Sequence, residues 1–184
     1  MSAPRIREIA SPANPLIKDI RALHQRKARA ETGLFLAEGA RTLRAALDHG
    51  FAPETLAYRA DRRDDPAIAE LRGRAGEAGA ELLEVSASVM DRISQQDNPP
   101  GVAGVFRRRV RELADLDPAA APIWLALEGV RDPGNLGTCV RTADACGAGG
   151  VILIGDTCDP FGPETVRATM DSIFAVPIYA AESA

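Results

Sequence analysis

The chain has 184 residues, 46% hydrophobic and 26% charged, and a net charge of −4. These values fit a folded, soluble protein with room for one ordinary domain or two small ones. No apolar run approaches the roughly 20 residues of a membrane span. The N-terminus, MSAPRIREIASPANP, carries charges where a signal peptide needs an apolar stretch. A cytoplasmic protein is expected.

Aromatic residues make up only 4%, so the core must be built from Ala, Leu, Val and Ile. Asn14 before Pro15 is a helix start, a side-chain cap followed by proline in the first turn. Leu16, Ile20 and Leu23 follow at helical spacing. A short strand is expected at 34–37 and a helix at 39–49, burying Leu43, Ala46 and Leu47 and stopped by Gly50. The alternation then continues with strand 55–59, helix 65–78, strand 81–85, helix 87–94 and strand 101–106. This is an α/β pattern, read as one domain over residues 1–107.

Residues 108–122 combine charge, Pro118, an alanine run and Pro122, and are expected to form a linker. The pattern restarts over 123–184 with strand 123–127, loop 128–134, helix 135–147 and strand 151–154. A helix near 163–171 and a strand near 174–179 close the sequence. Three strands and two helices make a thin parallel sheet, which is stable only with both faces covered.

Charge is unevenly spread. Residues 1–30 carry Arg5, Arg7, Lys18, Arg21, Arg26, Lys27 and Arg29 against Glu8 and Asp19 alone. A second cluster runs through Arg107, Arg108, Arg109 and Arg111. A polyanion would use such patches, because neutralised phosphates release counterions. A solvated helix face and a charged linker account for them equally well.

Cys139 and Cys146 lie seven apart on one expected helix, about 10 Å along its axis and too far for a disulfide. No histidine stands near any of the three cysteines at zinc-ligand spacing. Small buried thiols and no metal are expected. His49, before Gly50, is explained by a helix C-terminus.

The stretch EGVRDPGNLGTCVRTADACGA (128–148) lies between two expected strands, as phosphate-binding loops do. It matches neither common phosphate code. Asn135 and Leu136 stand where a P-loop needs Lys and Ser/Thr, and Gly134 and Gly137 are wrongly spaced for a dinucleotide turn. A small Rossmann-like nucleotide binder is therefore disfavoured.

GVRDPGNLGTCVRTADACGA closely resembles the first motif of the SpoU (TrmH-like) RNA methyltransferases of the knotted SPOUT superfamily. SPANPLIKDIRALHQRKARAETGLFLAEGARTLRAAL resembles that family's L30e-like substrate-binding domain, and QDNPPGVAG (96–104) the segment that closes it. GPETVRATMDSIFAVP (162–177) resembles the stretch before the middle of the catalytic domain. Four such segments in the family's order make a specific match. The fold implied is an L30e-like α/β domain followed by the first part of an α/β-knot (SPOUT) domain.

The resemblance implies methyl transfer from S-adenosylmethionine to a ribose 2′-hydroxyl of structured RNA, rRNA or tRNA, by a homodimer. It places the motif's asparagine at Asn135 and its essential arginine at Arg141, and gives Gly137 the role of bringing the helix start close to ligand backbone. A guanidinium holds its proton too tightly to be a good base, so Arg141 is expected to orient the hydroxyl and a neighbouring phosphate. Arg21, Arg26 and Lys27 are the expected RNA contacts. Structural explanations stand beside these roles: Asn135 as a helix cap, and Arg141 paired with Asp144 at i, i+3.

The chain departs from the family pattern at Thr169 and Asp171, where Ser and Gly are common. It is also expected to end before the second and third motifs, which in relatives tie the knot and line most of the cofactor pocket. Weak binding of S-adenosylmethionine by these 184 residues follows. A non-catalytic RNA-binding module is the alternative reading.

Overall fold

The computed structural model describes residues 6–181, which leaves Arg5 outside them. The chain divides into two compact units, Met1–Arg107 and Arg108–Ala184.

The first unit opens with strand β1 (Ile6–Ile9) and helix α1 (Pro15–Ala22), followed by α2 (Arg26–Thr32), β2 (Leu34–Glu38) and α3 (Ala40–Asp48). Then come β3 (Thr55–Arg59), α4 (Pro66–Glu77), β4 (Glu81–Val85), α5 (Ala87–Ser94) and β5 (Val102–Arg107). The strands form one sheet in the order β1-β4-β3-β5-β2, in which β5 runs antiparallel to both its neighbours.

Local chemistry explains the helix starts. The Asn14 side chain accepts the Leu16 amide and the Asp65 side chain that of Ala67, each followed by proline in the first turn. The Ser86 hydroxyl accepts the Val89 amide. Ile17, Ile20 and Leu23 from the α1 region and Val89, Met90 and Ile93 from α5 pack on Leu36, Leu83, Val85 and Val105 of the sheet. The apolar stripe of α1 thus faces the core.

The expected first helix is two helices. Leu23 to Gln25 form a tight turn, with successive amides bonded three residues back. Strand β1 was not expected from sequence. It pairs parallel with β4, and of its four side chains only Ile9 is buried.

The second unit holds β6 (Val110–Glu112), β7 (Leu125–Glu128), α6 (Pro133–Ala145), β8 (Val151–Ile154), α7 (Pro163–Ala168), α8 (Ser172–Ala175) and β9 (Ile178–Ala181). Its sheet is all-parallel, ordered β6-β9-β8-β7. Residues 108–122 are therefore not a free linker. Val110–Glu112 pairs with Ile178–Ala180 as an edge strand, and two 3₁₀ turns follow it. Three exposed residues inside an arginine cluster are too short a strand to show an apolar period.

Right-handed crossovers from β7 to β8 to β9 advance in one direction, which places α6 and the α7/α8 pair on the same sheet face. Val151 and Leu153 of β8 are buried, whereas Ile152 and Ile154, pointing the other way, are only half-buried. The core of this unit lies on the helical side.

Candidate functional site

The C-terminal edge of an open parallel sheet is where α/β proteins hold ligands, and two loops meet there. Loop 129–132 follows β7, and loop 155–162 follows β8. The Cys158 amide donates to the Val130 carbonyl at 2.8 Å, and the Gly129 amide to Ile154 at 3.2 Å. An exposed ion pair, Arg131 with Asp156 at 3.3 Å, spans the same two loops. Backbone hydrogen bonds hold this edge; the exposed pair adds little.

Helix α6 rises from the first loop. Asp132 is its N-cap, accepting the Asn135 amide at 2.7 Å, and Pro133 occupies the first turn. The capping explanation for Asn135 is thereby removed, because Asp132 performs that function. The Asn135 side chain is exposed and hydrogen-bonds to no described residue. The signal was legible: Asp132-Pro133 repeats the cap-then-proline pair of Asn14-Pro15.

Arg141 is exposed on the same helix, and among the described residues it forms no ion pair with Asp144 or any other carboxylate. Six residues separate it from Asn135, about 9 Å along the axis and about 120° around it. The two side chains flank the solvent face of α6, while Leu136, Gly137, Val140 and Ala143 form its buried face. They are suited to touching different parts of one ligand, not a single atom.

Gly137 does not serve ligand approach. A Cβ there would stand 2.3 Å from the Ala168 Cβ and 2.8 Å from the Ala168 carbonyl carbon, so the glycine permits close contact between α6 and α7. The turn after α7 carries the departures from the family pattern. Thr169 is fully buried, with its hydroxyl donating to the Val166 carbonyl at 2.7 Å. Met170 and Asp171 have φ of 49° and 82°, the left-handed region that suits glycine. A non-glycine residue at 171 holds that turn at a conformational cost.

The expectation of buried thiols is overturned. Cys146 is exposed at the end of α6, and Cys139 and Cys158 are half-buried. Seven-residue spacing keeps Cys139 and Cys146 on nearly one helix face, but that face borders solvent.

The expected RNA contacts lie on the first unit. Arg21 ends α1 half-buried, and Arg26 and Lys27 begin α2 fully exposed. Lys27 lies 3.8 Å from Glu31, an exposed pair one helical turn apart. Two other members of the basic cluster are engaged elsewhere. Arg7 pairs with Glu81 at 2.8 Å, and Arg29 is buried with a guanidinium N–H on the Leu23 carbonyl.

Comparison with known proteins places these features. Residues 14–104 match the MRM3-like substrate binding domain, and residues 122–184 match the SpoU rRNA Methylase family. The 23S rRNA (guanosine(2553)-2′-O)-methyltransferase RlmP of Bacillus subtilis is 32% identical over 94% of this chain and 64% of its own length. The AdoMet-bound rRNA methyltransferase of Sinorhizobium meliloti superposes with a TM-score of 0.87 at 46% identity, over 95% of this chain and 65% of that one. The SpoU methyltransferase AviRb of Streptomyces viridochromogenes, in complex with AdoMet, gives a TM-score of 0.82 at 27% identity, over 92% of this chain and 64% of that one. The chain thus spans just under two thirds of the length of these relatives. The two matches stand in tandem, and residues 122–184 form a domain of the SpoU rRNA Methylase family.

Proposed function

We propose that this chain provides the RNA-binding domain and the hydroxyl-orienting residues of an S-adenosylmethionine-dependent RNA ribose 2′-O-methyltransferase. The observation that carries the reading is the pair of polar side chains, Asn135 and Arg141, that have no partner among the described residues, on the helix that leaves the C-terminal edge of the parallel sheet. They stand at the family's motif positions with no structural duty in the fold.

The fit to the cofactor is one-sided. The edge offers the free Asn135 amide, able to donate and accept, and the loop backbone at 129–132 and 155–162. This suits polar contacts with a nucleoside. By the resemblance, further walls of the pocket come from segments the longer relatives carry. When bound, S-adenosylmethionine supplies a methyl group on a cationic sulfur, a good leaving group for in-line displacement by the ribose oxygen.

What remains for the protein is orientation and removal of the hydroxyl proton. Arg141, a planar cation with several donors, holds a phosphate beside the target ribose and turns the 2′-oxygen toward the methyl carbon. The proton released from the hydroxyl in the transfer would pass to that phosphate or to water. Asn135 fixes the local geometry through its amide. Arg21, Arg26 and Lys27 bind the RNA backbone. The proposal includes pairing with a second copy, supported by exposed Ile123 and Met170, each 50% accessible, and residence in the cytoplasm, supported by the free thiols of Cys139 and Cys146.

The test joins these 184 residues to the C-terminal third of the Sinorhizobium meliloti rRNA methyltransferase. The chimera is assayed for transfer of labelled methyl from S-adenosylmethionine to 23S rRNA. The reading expects label in alkali-resistant dinucleotides, the mark of a blocked 2′-hydroxyl. RNA binding without any transfer would leave only a binding module, and label on a base would refute the ribose assignment.

A further inference from the structure

The corner between α1 and α2 is held more firmly than a surface turn needs. Leu23 follows the end of α1, where carbonyls lack helical partners. Its carbonyl instead accepts an N–H from the Arg29 guanidinium at 2.8 Å. Arg29 is only 4% exposed. The next residue, His24, places its Nε2 2.7 Å from the Ile93 carbonyl at the end of α5. A carbonyl only accepts, so Nε2 carries the hydrogen and donates. Two consecutive residues of one turn are thus pinned from opposite sides, one by α2 and one by α5.

A buried guanidinium is a costly way to hold a backbone. An apolar residue of similar volume is often as stabilising or more so. What it adds is a defined conformation. Arg21 stands immediately before the turn and Arg26 and Lys27 immediately after it. The Arg21 Nε is shielded from solvent and has no hydrogen-bond partner, and no described residue pairs with its guanidinium. The rest of the half-buried guanidinium stays open to an incoming acceptor.

Resting on the RNA-binding reading above, we propose that the α1–α2 corner is a preshaped seat for consecutive backbone phosphates of structured RNA. Arg21 is its direct phosphate ligand, through the exposed part of its guanidinium, and Arg26 and Lys27 complete the seat. Arg29 and His24 are positioning residues. They touch no RNA, and they fix the turn that carries the three cations so that these bind together.

The test measures affinity of the 184-residue chain for a folded 23S rRNA transcript as a function of salt. Each phosphate neutralised contributes about 0.9 to the slope of log affinity against log salt. Arg21→Ala is expected to lower the slope by about that amount. Arg29→Met keeps the buried volume but removes the clamp, and should lower it by about 1.8 or more, since several contacts loosen at once. Arg29→Lys, which still reaches the carbonyl with a donor, should recover most of the slope. His24→Ala reports on the second clamp independently, should Arg29→Met fail to fold. Circular dichroism confirms that each variant measured is native.

A wild-type slope in both Arg29→Met and His24→Ala would overturn the proposal. So would a loss of only about 0.9 in Arg29→Met, which marks a direct contact. If the combined Arg21, Arg26 and Lys27 to Ala variant keeps the wild-type slope, the RNA surface lies elsewhere and the parent reading falls with it. If that variant loses slope while Arg29→Met does not, only the positioning role fails.

Discussion

Gly137 and Ala168 stand so close that a methyl group on the glycine would overlap the alanine side chain, 2.3 Å from its Cβ. The backbone of Ala168 is also within 3.0 Å of that position, so a rotamer change gives no relief. Helices α6 and α7 therefore approach through a residue without a side chain, and the helix bearing Asn135 and Arg141 is seated by that contact. Gly137→Ala should destabilise the chain by about 1–3 kcal/mol, as overpacking of a well-fitted contact does. This exceeds the gain of about 1 kcal/mol that alanine offers over glycine in a helix. Denaturant unfolding checks it, and an unchanged or raised midpoint would show that the helices can separate freely.

In the first turn of α6 the cap is Asp132, and the proposed function gives Asn135 a chemical role instead. Asp132→Ala should cost about 1 kcal/mol, the usual loss for an N-cap. Asn135→Ala should change stability by less than about 0.5 kcal/mol, because its side chain holds nothing in the fold, while lowering methyl transfer in the chimera. Thermal unfolding and the transfer assay on the two variants separate the roles. The opposite ranking in stability would return Asn135 to a structural position.

Tyr58 gives the first unit an alkaline limit. Burial, and then its hydrogen bond to the Glu84 carboxylate at 3.0 Å, push the phenol up to about 12 from an ordinary 10.0. The folded state therefore binds this proton more tightly than the unfolded chain does. The stabilisation is complete below pH 10.0 and is lost as pH rises from there through about 12. The stability advantage of the native protein over Tyr58→Phe should shrink across that window and stay constant between pH 7 and 9. A difference independent of pH up to 12 would contradict the assignment.

Much of the architecture was legible because turn residues bracket it. Strands 55–59, 81–85 and 151–154 and helix 87–94 fall where the pattern placed them, each bounded by Gly, Pro, Ser or a cap. What escaped depends on partners distant in sequence. Ile6–Ile9 becomes a strand by pairing with β4, and Val110–Glu112 by pairing with β9; neither buries enough of itself to show a period. The break after α1 depends on Arg29 and Ile93 reaching back to Leu23 and His24, contacts no local propensity encodes. Asn135 and Arg141 are proposed on the strength of the family motif, since one exposed amide and one exposed guanidinium carry no signature of their own. The role expected for Gly137 was misread because a glycine near a loop resembles ligand approach until the helix behind it is known.

In the proposed function Arg141 acts on the reacting ribose and not on the fold. Single-turnover methyl transfer by the chimera, with Arg141→Ala measured beside it on saturating 23S rRNA, tests this most directly. The expected result is a fall of about 10²-fold or more in the rate, with RNA affinity lowered by no more than the loss of one phosphate contact and an unchanged unfolding midpoint, as for a surface substitution. A variant that transfers methyl at the parental rate would contradict it.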